Sequence, residues 1–153
     1  MLRIFQQAIA IATRYSRALL LHPTDIGAAA VVEQDGKVVL VRHSYKAGWL
    51  FPGGAVERNE PPADALLREL REEIGLTHSD SPVLIGAFIR PGIWASNLVL
   101  LYRVSSAVFS FKPSWEICEL VLADPRTLPP DTGPAVRRRL GEIYGGQPQA
   151  GRW

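Results

Sequence analysis

A chain of 153 residues is enough for one domain that buries an apolar core without disulfide or metal staples. With 47% hydrophobic and 21% charged residues it has the balance of a folded soluble protein, which excludes disorder as the default. Seventeen basic against fifteen acidic residues leave a net charge of +2, too slight to point to nucleic acid or a membrane surface, and the single cysteine, Cys118, excludes an internal disulfide and suits a cytoplasmic setting.

In chain order, residues 1–22 come first. Their longest uncharged run, Ile4 to Thr13, falls well short of the roughly 20 residues that span a bilayer, and no small-residue cleavage site follows it. Arg3, Gln7, Arg14 and Arg17 recur at helical spacing opposite Leu2, Phe5, Ile9 and Leu19, which predicts an amphipathic helix packed on the domain or on a second copy in a homodimer. The domain itself is expected over residues 23–146. Ile26 to Glu33 and Lys37 to His43 are apolar, Val-rich runs split by Asp35-Gly36, the signature of a β-hairpin. Trp49-Leu50-Phe51 continues as a short strand that Pro52-Gly53-Gly54 should stop.

From Pro62 to Ile74 the apolar spacing becomes three and four, through Ala63, Leu66, Leu67, Leu70 and Ile74, and Gly75 supplies a C-cap. Val83 to Ile89, Leu98 to Val104 and Ile117 to Leu122 predict three further strands. A last helix runs from Ala135 to about Tyr144, closed by Gly145-Gly146. Residues 147–153 have no pattern and are expected to form a flexible tail. Strands and helices in this order suit an α/β fold, a mixed sheet between helices in three α/β/α layers. Strand order does not follow from it.

The informative stretch is Gly54 to Leu76, GAVERNEPPADALLRELREEIGL. Glu69, Glu72 and Glu73 stand at i, i+3 and i+4 of the predicted helix, so their carboxylates project together at Cβ separations of about 5–6 Å. Like charges so placed repel unless a cation lies between them, and hard oxygen ligands in a cluster suit Mg²⁺ or Mn²⁺. Leu66, Leu70 and Ile74 on the opposite side would anchor the helix, and Arg68 is spaced to reach Glu72 one turn on. Gly53 and Gly54 leave backbone bare for approach to a metal or phosphate.

This segment resembles the whole Nudix box: a Gly, five residues, a Glu, seven residues, then Arg-Glu-apolar-any-Glu-Glu-any-Gly-apolar. Gly54, Glu60, Arg68, Glu69, Leu70, Glu72, Glu73, Gly75 and Leu76 all fit. At typical residue frequencies, seven fixed positions coincide by chance roughly once in ten million or less. Trp49 to Gly54 is similar to the approach to the box in family members. The resemblance implies a Nudix-like α/β/α sandwich and Mg²⁺-dependent hydrolysis of the diphosphate linkage in a nucleoside diphosphate derivative, a small-molecule nucleotide or a nucleotide-sugar rather than nucleic acid.

By the same carry-over, Glu69, Glu72 and Glu73 are metal ligands, the Gly54 carbonyl joins them, and Glu60 and Arg68 brace loop against helix. Glu72 and Glu73 are candidate catalytic carboxylates. Family members also place a base on a later loop, for which Glu116 is the leading candidate here and Glu119 the lesser. Pro91, fifteen residues beyond the box, resembles the placement in ADP-sugar hydrolases. Trp94 and Trp115 offer stacking surfaces, while His22, His43 and His78 lack metal-ligand spacing and Arg137 to Arg139 read as an exposed helix face.

Overall fold

The computed structural model describes residues 24–92 and 96–153. The segment read as an amphipathic helix, and Trp94, lie outside them. Strands β1 (Thr24–Gln34), β2 (Lys37–His43), β3 (Gly53–Ala55), β4 (Leu76–His78), β5 (Val83–Arg90), β6 (Ser96–Val104), β7 (Val108–Phe109) and β8 (Ile117–Ala123) accompany helices α1 (Pro62–Ile74) and α2 (Pro134–Tyr144). The main sheet runs β5-β6-β1-β2-β8, with β3 also on β1. Only the β1–β6 pair is parallel among these, so the sheet is mixed.

β1 explains the layers. Along it Ala28, Ala30 and Val32 face one way, toward Leu66, Leu70 and Ile74 of α1, while Ala29 and Val31 face the other, toward Val136 and Leu140 of α2. A strand covered on both faces reads as a continuous apolar run rather than an alternating one, which is how Ala28 to Val32 read. Two cores, one on each face, make the sandwich. Among the described residues no helix is long and apolar enough to cross a membrane.

The hairpin forms as the sequence predicts, with Asp35 and Gly36 both at positive φ and Gln34 opposite Lys37. α1 starts on prolines and ends at Gly75 in the left-handed conformation, its amide returning to the Leu70 carbonyl. Pro52-Gly53-Gly54 departs from expectation: it ends the Trp49–Phe51 segment, but Gly53 opens β3. Ala29 pairs with Gly53 and Ala28 with Gly54. Gly53 has φ +135°, and a Cβ there would lie 2.2 Å from the Ala28 carbonyl oxygen, so only glycine permits the pairing. The minor sheet β4–β7, two very short strands, escaped the sequence reading altogether.

The tail also differs from its expected flexibility. The Ile89 amide donates to the Gly151 carbonyl at 3.0 Å and the Trp153 amide to the Ile89 carbonyl at 2.9 Å, so the tail extends the sheet beyond β5. Nor is Arg137 to Arg139 a uniformly exposed face. Arg139 is fully buried, with its guanidinium 3.9 Å from the centroid of the Phe88 ring.

Candidate active site

α1 and the β3 turn bring the box residues together. Arg68 reaches backwards from the helix: its Nε and Nη2 donate to the two Glu60 oxygens, both at 3.0 Å, and Nη2 also donates to the Ala55 carbonyl at 3.1 Å. Its Nη1 donates to Glu69 at 2.7 Å and lies 4.0 Å from Glu72. The pairing with Glu72 expected from spacing is therefore the weakest of its contacts, because the planar fork is already occupied by Glu60 and Glu69. Those bonds hold the Glu60 carboxyl below its ordinary range, helped by the Glu57 amide.

The three helical carboxylates are not equivalent. Glu72 is 65% exposed, on the solvent side of the ridge. Glu69 packs against the turn so closely that a Cβ on Gly54 would lie 2.4–2.6 Å from its carboxylate atoms. Glu73 is only 6% exposed and accepts from the Gly53 amide at 2.7 Å. Burial pushes its carboxyl up to about 8 against the downward pull of that amide, and the negative charges of Glu69 and Glu116 add to the rise.

Two groups absent from the sequence-based site join it, His43 beside Glu73 and Tyr45 on Glu116. His43 Nε2 lies 3.8 Å from it, and His43 Nδ1 lies 3.9 Å from Glu116, which arrives from the loop before β8. Tyr45 donates to the same Glu116 oxygen at 2.7 Å, which pushes its hydroxyl up to about 12. Burial holds the imidazole below its ordinary range, with the Lys46 charge acting the same way and Glu116 opposing. His43 has no ligand partner nearby in sequence, and the fold supplies its acidic neighbours from other elements. A trace was present: His43 continues the Val39, Val41 alternation that faces α1. Glu119 instead pairs with Arg42 at 3.5 Å, on the surface, and Trp115 is 83% exposed.

The residues present fit a divalent cation. One ligand atom each from His43, Glu73 and Glu116 lies within 4.8 Å of the others, and His43 Nδ1 is buried without a hydrogen-bond partner. Glu69 crowds the bare Gly54 backbone beside them. The charges of Glu69 and Glu116 act on the buried Glu73 carboxyl, a repulsion that a cation relieves. Gly54→Ala is expected to push Glu69 aside: because the clash meets the end of a flexible side chain, Tm should change by less than about 3 °C while turnover falls about 10²-fold. Thermal melts and rates on the same preparation check this; an unchanged rate would remove the Gly54–Glu69 contact from the mechanism.

A cleft of about 610 Å³ opens beside the cluster, with His43, Lys46, Gly53 and Gly54 in its lining. Across β1 and β6 it is lined by Arg90 of β5, together with Arg138 and Trp153. Among the described residues no Asp or Glu side chain lies within salt-bridge distance of Lys46, Arg90 or Arg138. The cleft thus sets cations that lack an acidic side-chain partner beside an acidic cluster, an arrangement suited to a phosphorylated ligand bound through a metal.

A mixed sheet between two helices, with this acidic strand-turn-helix segment at a cleft, is the architecture of a NUDIX domain, and the chain belongs to that family, whose domain matches residues 21–140. It is 38% identical over 96 residues to the RNA pyrophosphohydrolase of Halorhodospira halophila, an alignment covering 63% of this chain and 52% of that protein. It is 50% identical over 52 residues to the CTP pyrophosphohydrolase of Escherichia coli, covering 31% and 38% respectively. The MutT NUDIX hydrolase of Burkholderia pseudomallei has the same fold, with a TM-score of 0.71 at 20% identity over 79% of this chain and 98% of that one. The chain thus spans about half the length of the first of these relatives.

Proposed function

We propose that this chain is a divalent-metal-dependent hydrolase that cleaves the diphosphate linkage of a nucleoside diphosphate derivative by attack of water at phosphorus. The observation that carries it is the meeting of Glu69 and Glu73 on the Gly53–Gly54 turn, with Glu116 beside Glu73 and His43, next to a cleft lined by Lys46, Arg90 and Arg138. Mg²⁺ is the preferred ion, with Mn²⁺ as substitute, held by Glu69, Glu72, Glu73 and the Gly54 carbonyl. When bound, such an ion neutralises charge on the transferring phosphoryl group and acidifies water.

The chain's own groups do the rest. Arg68 locks Glu60, Ala55 and Glu69 into one rigid unit, so the ligand oxygens keep their places as charge shifts. The Gly53 amide fixes Glu73. Glu116, steadied by the Tyr45 hydroxyl and facing His43, is positioned to take a proton from water. Lys46, Arg90 and Arg138 attract the polyanionic substrate and hold the part not attacked.

A small nucleotide is the substrate class this cleft suits, a nucleotide-sugar such as an ADP-sugar included. The 5′ end of RNA is a second reading, favoured by the likeness to an RNA pyrophosphohydrolase against a net charge of only +2. Incubation with nucleoside triphosphates, nucleotide-sugars and a 5′-triphosphorylated RNA oligomer, each with Mg²⁺ or with chelator, is expected to release phosphate or a nucleoside monophosphate from at least one small nucleotide only when Mg²⁺ is present. Turnover of the RNA alone would favour the second reading. Silence across the panel with both Mg²⁺ and Mn²⁺ would leave a nucleotide-binding module.

A further inference from the structure

Residues 147–153 lie beyond the matched NUDIX region, yet the fold commits a fully buried guanidinium to holding them. Arg139 donates to the carbonyls of Ala150 at 3.0 Å and Arg152 at 3.1 Å, and Glu142 accepts both from Arg139 at 2.8 Å and from the Ala150 amide at 3.0 Å. A guanidinium is expensive to remove from water unless its bonds are met, so a buried one marks a segment whose position matters to the fold. Together with the backbone pairing to Ile89, this network delivers one side chain to the cleft, that of Trp153.

The indole is half-buried. Phe51 and Phe88 meet it at tilts of 58° and 50°, with centroids 6.2 and 6.0 Å away, so neither ring lies flat upon it. Arg90 stands over it, the guanidinium carbon 5.7 Å from the ring centroid, and Arg138 donates to the Trp153 carbonyl at 2.7 Å. Asn97 lines the same cleft, its amide oxygen 3.4 Å from where a Gly27 side chain would begin. A planar indole beside a planar guanidinium, with an amide and further cations lining the same cleft, is the chemistry that receives a flat heteroaromatic ring carrying phosphates.

We propose that the C-terminal tail carries the base-selecting subsite of this chain: Trp153, backed by Arg90, is the surface on which the base of the nucleotide stacks. This rests on the reading of the cleft as a nucleotide site. It makes Trp153 a specificity-determining residue supplied from outside the matched domain region.

The test is equilibrium binding of ADP, GDP, CDP and UDP to the full chain in chelator, with inorganic pyrophosphate as the base-free control. Trp153→Ala is expected to weaken the best-bound diphosphate about tenfold and to leave pyrophosphate within twofold, while Trp153→Phe restores most of the loss. In turnover the same change should appear in KM rather than kcat. Equal weakening of pyrophosphate, no difference between wild type and Trp153→Ala, or failure of the wild type to bind any of the four would overturn the proposal. The two readings separate cleanly. Hydrolysis insensitive to Trp153 sinks the subsite alone, whereas base-dependent binding without hydrolysis sinks the enzymatic reading alone.

Discussion

Glu73→Gln is expected to lower metal-dependent turnover about 10³-fold while raising the stability of the metal-free protein at neutral and alkaline pH. Glutamine keeps an oxygen for the Gly53 amide and nearly the same volume, so the cavity it fills is unchanged. What it removes is a charge in a buried place. The folded carboxyl is raised to about 8 from an unfolded value of 4.5, chiefly by burial, so the folded state holds a proton that the unfolded state has released. Stability from this group is complete below about pH 4.5 and is lost as pH rises through 8, on the order of 3 kcal/mol between pH 5 and 8.

Melting curves in chelator should therefore fall from pH 5 to pH 8 in the wild type and stay flatter in Glu73→Gln. The two proteins should nearly coincide at pH 5. Added Mg²⁺ should lift the wild type at pH 8, where the carboxylate is free to bind it, and leave the variant where it was. Parallel curves for the two proteins would show that Glu73 is not the strained group. Full turnover in the variant would remove it from catalysis.

Arg139→Met has the second large expected effect, and it falls on stability. The guanidinium is 0% exposed, and its loss leaves the Glu142 carboxylate, 7% exposed, facing only the Ala150 amide and the carbonyls of Ala150 and Arg152 without their donor. Breaking a buried pair on one side costs about 3–5 kcal/mol, or roughly 6–15 °C in Tm for a domain of this size. The tail should loosen first, so limited proteolysis should cut after Tyr144 under conditions that leave the wild type whole. Arg139→Met combined with Glu142→Leu should recover part of the Tm, since it removes the orphaned charge but not the loss of the tail's anchor. A single variant as stable as wild type would show that the tail needs no such anchor.

The contrast between these residues follows the range of the interactions that place them. Box carboxylates, caps and the Asp35-Gly36 turn are read from neighbours within four residues, because helix periodicity, prolines at α1's start and Gly75 at its end act locally. The arrangement of Glu60 with Arg68 came only from family resemblance, and the structure adds that Arg68 favours Glu60 and Glu69 over Glu72. His43 has no metal ligand near it in sequence. Its companions Glu73 and Glu116 lie on α1 and on the loop before β8, reached only once β2 sits between β1 and β8.

By itself the sequence determined the helix that bears the acidic ridge and the apolar hairpin strands beside it, since each is written in patterns that repeat along the chain. Tertiary structure alone decided that Glu73 is buried and Glu72 exposed, that His43 and Tyr45 join Glu116, and that a tail without pattern delivers Trp153 to the cleft. These depend on strand order and on pairings such as Tyr45 with Glu116, 71 residues apart, which loop closure makes in space without leaving a period in the sequence.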